Sequence, residues 1–209
     1  MKTKHIIIVV LLFLIIPVCH SQNFDAGLKL GLVASQVDGD TYGGYDKLGL
    51  DVGVYVNYYF TPRASLKLEL EYIQKGSSHN PNFDIGDFDQ YLLRVNYVQL
   101  PVLWHYQLTK SFSCETGLAF GVLMSYYEEK YQTQIQSNAF RKFALSYQAG
   151  FGYNIDQNWK ANLRFDYSLI DIRAHDYFGS GTNVFFQWGQ FSNAFVISIQ
   201  YIIKHANGK

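Results

Sequence analysis

An alternation of apolar and polar residues runs through almost the whole sequence and restricts the folds open to it. The clearest example is residues 48–76, LGLDVGVYVNYYFTPRASLKLELEYIQKG. Apolar residues occupy every second position on both sides of the Thr-Pro-Arg segment at residues 61–63. A period of two is typical of a β-strand with two different faces, and the interruption predicts a tight turn. We therefore predict a β-hairpin at this position.

The same alternation recurs along the chain, separated by connections of two kinds. Eight strands are predicted, over residues 24–37, 48–60, 64–76, 93–108, 112–124, 143–155, 159–169 and 192–203. Three connections, TPR, TK and DQN, are short, whereas those around residues 38–46, 77–90, 126–141 and 173–190 are long. Because short and long connections alternate, all the short ones fall at one end of an antiparallel sheet. This layout is typical of an outer-membrane barrel with short periplasmic turns and long extracellular loops.

The alternation alone leaves open which face of each strand points inward. In a soluble barrel that carries an apolar ligand the leucines would line the interior, whereas in a membrane barrel they would face lipid. The face opposite the leucines is rich in glycine, with Gly27, Gly31, Gly49, Gly53, Gly117, Gly121, Gly150 and Gly152. Glycine weakens a solvent-exposed strand, but small residues make room for large ones inside a narrow barrel. We therefore predict an all-β, eight-stranded antiparallel up-and-down transmembrane β-barrel with a polar interior.

Charged residues of both signs share this glycine-rich face. The positive members are Lys29, Lys67, Lys160 and Arg164, and the negative members are Asp51, Glu69, Glu71, Glu115 and Asp166. Opposite charges that are removed from water must be paired, because an isolated buried charge is costly. We predict that these side chains form a network of ion pairs that fills the lumen.

Aromatic residues are frequent, with 17 Tyr and 16 Phe, and they crowd at the ends of the predicted strands. Tyr58, Phe60, Trp104, Tyr106, Phe112, Tyr153, Trp159 and Tyr201 lie near the short turns, and Tyr72, Tyr126 and Phe143 lie near the long loops. Tyrosine and tryptophan concentrate at the boundaries between lipid and water. The pattern predicts an aromatic belt at each membrane interface.

The N-terminal segment predicts export. Lys2 and Lys4 precede an apolar run of about 13 residues, and Cys19 and Ser21 are small residues before Gln22, as in a cleaved signal peptide. We assign residues 1–21 to a signal peptide, 22–204 to an outer-membrane β-barrel domain and 205–209 to a C-terminal tail. The chain has 17 Lys+Arg and 17 Asp+Glu, and this balance argues against nucleic acid as a partner.

Two structural details stay open at this level. The long loops could hide a further hairpin, so the strand count is eight or ten. Pro101 lies within the fourth strand, where a proline cannot donate a hydrogen bond to its neighbour. We expect a bulge or a local irregularity at that residue.

Several short motifs resemble the PorT-like outer-membrane β-barrel proteins of Bacteroidetes. They are GLKLGL after the signal peptide, YVQLPVLWHYQL with its proline in mid-strand, and GFGYNI before a strand that carries an arginine. The resemblance implies an eight-stranded barrel in the outer membrane, in a family whose founding member is linked to protein secretion. The chain departs from the family at Gln99, a position that is often acidic, and in ending on KHANGK beyond the last strand.

Two groups of polar residues have the chemistry of a possible site. His175, Asp176 and Ser180 supply the residue types of a hydrolase triad but lack the nucleophile-elbow pattern. Asp84, Asp87 and Asp89 supply oxygen ligands for calcium but lack the spacing of an EF-hand. We predict no catalytic residue, no cofactor and no metal site.

Three classes of function are compatible with such a barrel. The first is a structural or interaction role, accessory to secretion or envelope assembly, with membrane lipid and other envelope or secretion proteins as partners. The second is a small-solute pore, which the narrow interior of an eight-stranded barrel disfavours. The third is a lipid-modifying barrel enzyme. We expect the first.

Overall fold

The computed structural model describes residues 24–131, 133–135, 140–173 and 189–203 of the chain. The predicted signal peptide and C-terminal tail lie outside these residues. Eight long strands are present: β1 (Phe24–Asp38), β2 (Lys47–Tyr59), β3 (Ala64–His79), β4 (Tyr91–Gln107), β5 (Phe112–Lys130), β6 (Phe143–Asn154), β7 (Trp159–Ser168) and β8 (Phe191–Ile203). A 3-10 helix, Phe83–Ile85, follows β3, and a two-residue strand, Thr133–Gln134, pairs with the end of β5. No helix in the described part of the chain is long and apolar enough to span a membrane.

The eight strands form a closed antiparallel barrel. Each strand pairs with its neighbours in sequence, and β8 returns to pair with β1, with Leu30 opposite Ile199. Because the barrel is closed, each of the eight strands has a hydrogen-bonded neighbour on both sides. Closure thus removes the free sheet edges at which proteins commonly aggregate. The predicted fold class is confirmed, and the open question of eight or ten strands is answered as eight long strands within the described residues.

The two faces of each strand differ in their surroundings. Along β2, Leu48, Leu50 and Val52 are exposed on the outside, whereas Asp51 between them is fully buried. Such a continuous apolar exterior needs a nonpolar environment, since soluble proteins rarely expose apolar patches of more than a few hundred Å². The leucines of the hairpin therefore point outward.

The lumen is not polar along its whole length, contrary to the sequence-based expectation. In the half nearer the long loops, buried apolar side chains from four strands pack into one cluster. Its members from the barrel wall include Val33 and Val37 of β1, Ile73 of β3, Leu93, Val95 and Tyr97 of β4, and Ala194 and Val196 of β8. This apolar cluster shares its part of the lumen with a charged pair, because Lys75 pairs with Val95 and Asp166 pairs with Ala194 in the neighbouring strands.

The irregularity expected at Pro101 has two parts, at different places. The pairing of β3 with β4 is interrupted between Leu68↔Val102 and Glu71↔Gln99 and then continues in the same register, so Pro101 falls in the gap. The register shift in the pairing of β4 with β5 lies instead between Asn96 and Tyr97. The bulge is therefore displaced from the proline, because the missing N–H affects only the ladder with β3.

The strands on one side are longer than predicted. β4 begins at Tyr91 and β5 continues to Lys130, so part of the predicted loop at residues 126–141 is strand. At the loop end, β3, β4 and β5 form a ladder with Tyr91 opposite both His79 and Lys130. Because of this extension, Tyr91 and Glu128 lie on strands at the extracellular rim of the barrel.

Candidate functional site

Arg164 is the centre of a charged network that fills the middle of the lumen. Its Nη1 and Nη2 donate to the two carboxylate oxygens of Glu69 at 2.9 and 2.7 Å. Its Nε and Nη2 donate to Oε1 of Glu115 at 2.9 and 2.5 Å. The planar guanidinium suits such two-pronged contacts. Arg164 lies on β7 and Glu69 on β3, so the contact joins opposite walls of the barrel.

Lys29 connects the same network to β2. Its Nζ donates to Oε2 of Glu69 at 2.8 Å and to the carboxylate of Glu71, and it lies 2.9 Å from Oδ2 of Asp51. The network places more than one carboxylate around each cation, and all these side chains are nearly excluded from solvent. Buried charges in such an arrangement are stable only as a set, because each partner lost leaves a charge without compensation.

Lys67 joins the two carboxylates that Arg164 also holds. Its Nζ lies 2.8 Å from Oε1 of Glu69 and 3.3 Å from Oε2 of Glu115, and it donates to Oε1 of Gln200 at 3.0 Å. Seven of the nine predicted charges therefore meet in one cluster: Lys29, Asp51, Lys67, Glu69, Glu71, Glu115 and Arg164.

The other two predicted charges have different partners. Asp166 accepts a hydrogen bond from Lys75 at 2.5 Å and one from Gln148 at 2.7 Å. The alternation places Lys75 on the polar face, but the network predicted from the sequence does not include it. Lys160 lies apart from the cluster, where its Nζ contacts Nε2 of His105 at 2.9 Å. The sequence does not predict the Lys75–Asp166 contact or the Lys160–His105 contact, because both join strands that lie across the lumen from each other.

A second polar group lies at the rim beside the long loops. The hydroxyl of Tyr91 donates to Glu128 at 2.7 Å, and the Arg173 guanidinium donates to both oxygens of the same carboxylate at 2.7 and 3.2 Å. Burial alone would lower the pKa of Arg173, but the hydrogen bond and charge of Glu128 raise it above its ordinary value. The Tyr42 ring stacks on the rings of Tyr91 and His79, each at 4.9 Å between centroids.

The loop between β3 and β4 is held by local hydrogen bonds. Asp87 accepts from the backbone N–H of Asp89 at 2.9 Å and contacts Nε2 of His79 at 2.7 Å. These two interactions hold the pKa of the Asp87 carboxyl below its ordinary value. Asp89 accepts from the hydroxyl of Tyr131. The described residues contain no group of three or more His, Cys, Asp or Glu side chains that could hold a metal.

His175, Asp176 and Ser180, the residue types of the hydrolase alternative, lie outside the described residues. Cys114, which remains after the predicted signal peptide, is a free thiol on the outer face of β5.

The sequence matches a family profile described as "Outer membrane protein beta-barrel domain" over residues 20–173. The chain belongs to this family. The protein is thus an outer-membrane barrel, and the predicted location in the cell outer membrane is confirmed. No curated protein matches the sequence at a significant level.

Solved structures of other outer-membrane barrels share the fold. The crystal structure of Ail, the attachment invasion locus protein of Yersinia pestis, is 13% identical in sequence, covers 87% of this chain and 99% of Ail, and gives a TM-score of 0.51. The crystal structure of Neisserial surface protein A is 8% identical in sequence and gives a TM-score of 0.50. The match covers 87% of this chain and 97% of the Neisserial protein. At these identities the likeness concerns the fold alone.

The outer-membrane barrel carries its predicted belt residues on the outside. Near the short turns, neighbouring rings contact each other around the wall: Phe24 with Tyr58, Tyr58 with Phe60, Phe60 with Trp104, Phe112 with Tyr153, and Trp159 with Tyr201. Tyr72, Tyr106 and Phe143 are also exposed. Tyr126 is 45% exposed, and beyond the register shift in β5 it pairs with Val95 and packs on Phe140 at 4.8 Å.

Proposed function

We propose that this outer-membrane barrel has a structural or interaction role and acts through its extracellular loops as an accessory to secretion or envelope assembly. Within the family we assign it to the PorT-like barrels, because the motifs GLKLGL, YVQLPVLWHYQL and GFGYNI resemble theirs. The observation that carries the proposal is the filled lumen.

The contents of the lumen argue against a small-solute pore. Arg164 and Glu69 join opposite walls at 2.7 Å, and both side chains are at most 2% exposed. Toward the long loops the lumen also holds the buried apolar cluster that includes Val33, Leu93 and Val196. A solute would have to separate buried ion pairs and then pass the buried side chains of this cluster. An eight-stranded barrel has an interior only wide enough for its own side chains.

The extracellular loop between β3 and β4 favours an interaction role. Phe83 and Phe88 are 70% and 68% exposed, and their ring centroids lie 5.7 Å apart. The loop presents them from a defined backbone, since Asn82 caps the 3-10 helix and pairs with Asp87. Exposed aromatic side chains on a well-held loop are typical anchors for a protein partner. We assign this pair as a contact for another envelope or secretion protein.

Conductance measurements test the closed lumen. The purified barrel, inserted in a planar lipid bilayer, should give no discrete conductance steps above the lipid baseline, while a porin in the same setup conducts. Stable open-channel currents from the wild-type protein would overturn the proposal and favour the pore.

Complementation tests the loop. In a strain that lacks the gene, Phe83→Ser combined with Phe88→Ser should fail to restore secretion or envelope integrity although the barrel still folds. Tyr127→Ser changes another exposed extracellular aromatic residue and serves as the matched control, which should restore the phenotype. Full restoration by the double variant would contradict the assigned contact.

The lipid-modifying alternative has a separate test. His175→Ala should leave the lipid A of the host unchanged in its acyl and phosphate content, when compared with the wild-type protein by mass spectrometry. A change of lipid A that depends on His175 would replace the proposal with an enzyme.

A further inference from the structure

We propose that the periplasmic end of the barrel contains a binding site for a small oxyanion that also carries a hydroxyl group, such as hydrogen phosphate or a hydroxycarboxylate. A cavity of ≈ 470 Å³ opens there, among residues of the short turns and of the adjoining strand ends. This volume lies within the range of about 300–1,000 Å³ for small-molecule sites. The residues that carry the argument are Lys160, His105 and Asn57, all of which line the cavity.

Lys160 supplies a buried positive charge. The residue is 6% exposed, and Nζ contacts Nε2 of His105 at 2.9 Å. An ammonium group has three donors and no acceptor, so Nε2 accepts and the imidazole proton lies on Nδ1, 3.2 Å from Oγ of Ser65. Lys160 forms no ion pair with a carboxylate of the described residues, unlike Lys29, Lys67 and Lys75. Two of its N–H donors are left for an anion in the cavity.

The backbone is shaped to admit this lysine. Gly152 of β6 lies directly under the end of the Lys160 side chain, and an added Cβ would collide with its Cε. A side chain at residue 152 would therefore displace the ammonium group from its contact with His105.

Asn57 also lines the cavity, and its amide supplies an acceptor once the side chain turns toward a ligand, because Oδ1 itself is shielded in the structure. The residue is 7% exposed, and its Oδ1 has no hydrogen-bond partner among the described residues. A buried acceptor without a donor is costly, so a ligand that brings an O–H group is favoured over one that does not. Within the described residues the ammonium group has no carboxylate partner and the acceptor has no donor, and this combination selects an anion that still carries a proton. Phosphate near neutral pH meets this requirement, whereas sulfate does not.

The surrounding charges leave the cavity suited to an anion. The neighbouring Glu115 is already bound by Arg164 and Lys67 in the network above. Asp156 also lines the cavity, but its Oδ1 accepts the backbone N–H groups of Asn158 and Trp159 at 2.7 and 2.8 Å. Lys110 adds a second positive charge at the wall. Because the network closes the lumen above, the cavity is a blind pocket and not the entrance to a channel.

Calorimetric titration of the full-length barrel in detergent tests the site at neutral pH. Inorganic phosphate should bind saturably, and sulfate should bind at least about tenfold more weakly because it offers no donor to Asn57. Lactate and propionate repeat the comparison for carboxylates, with and without a hydroxyl group. A preference for phosphate over lactate, or the reverse, identifies the source of the oxyanion.

Three variants separate the proposed contacts from a general effect of charge. Lys160→Gln should weaken phosphate binding at least about tenfold, because it removes charge-assisted hydrogen bonds. Gly152→Ala should weaken it through displacement of the same ammonium group. Lys142→Gln removes a lysine outside the cavity and should leave the affinity unchanged. Asn57→Leu should reduce the preference for phosphate over sulfate.

One result would refute the site as a whole, and others would refute only the role of Lys160. Absence of saturable binding of both phosphate and lactate to the wild-type barrel refutes it. Equal affinity in Lys160→Gln and wild type refutes the role of the lysine, as does an equal loss in Lys142→Gln. If Lys160→Gln fails to fold, as judged by its mobility on a gel before and after heating, the wild-type titration and Gly152→Ala decide.

Discussion

Replacement of Arg164 by methionine should destabilise the barrel strongly, because it removes the cation that joins the two walls. Methionine keeps much of the side-chain length but donates no hydrogen bond. Arg164 donates to Glu69, to Glu115 and, at 3.3 Å, to Oε1 of Gln148. Its loss leaves two buried carboxylates with fewer partners.

The structure sets the size of the effect. Removing one partner from a buried ion pair costs about 3–5 kcal/mol. No discount for solvent screening applies, because Arg164 and the two carboxylates are almost fully buried. Both carboxylates keep contacts to Lys67, at 2.8 and 3.3 Å, so the lower end of the range applies. We expect the free energy of unfolding to fall by about 3 kcal/mol.

Urea unfolding in lipid vesicles, followed by the shift in gel mobility between folded and unfolded protein, measures this change. Arg63→Met, at an exposed turn residue, is the matched control and should change the free energy of unfolding by less than about 0.5 kcal/mol. Arg164→Met combined with Glu115→Gln restores the balance of charge and should recover more than half of the loss. A change of less than about 1 kcal/mol in Arg164→Met would refute the claim that the network is dry and tightly coupled.

Three further results are expected. Leu68→Arg, on the lipid-facing side of β3, should reduce the free energy of unfolding by about 2–4 kcal/mol in the same urea assay, and an unchanged value would misplace the membrane. Gly117→Ala should cost about 1–3 kcal/mol because the added Cβ meets the opposite backbone, whereas Gly43→Ala, with open space around it, should be nearly neutral; equal effects would contradict this close packing. The low pKa of Asp87 means that its contribution to the loop is present at neutral pH and is lost as the pH falls through that pKa. In an NMR titration, His79→Gln should raise the Asp87 midpoint, and an identical midpoint would exclude His79 as a cause.

The sequence was sufficient for the barrel, its strand directions and its outward face. These features depend on local patterns: a period of two along each strand, and the alternation of short turns with long loops. The same patterns placed Leu68 outside and Glu69 inside without any knowledge of distant contacts. The location in the outer membrane followed from them and is confirmed by the family.

The alternation was misleading where the apolar face of a strand changes sides, as in β4, where Leu93 and Val95 alternate with Arg94 and Asn96. In β4, Leu93 and Val95 are buried inside the barrel although their residue types fit the lipid face equally well. The apolar cluster in the lumen was therefore missed. The register shift between Asn96 and Tyr97 adds to this, because one extra residue in β5 exchanges its inner and outer faces.

The partners of each charge were decided only by the tertiary structure. Alternation tells on which side of the wall a residue lies, but the stagger of the strands and the closure of β8 on β1 decide its height in the lumen. Arg164 and Glu69 are 95 residues apart in sequence and meet because closure brings them to the same height. Lys160 lies on the same face of β7 as Arg164 but four residues nearer the periplasmic turn, so it falls below the carboxylates and lines the cavity instead.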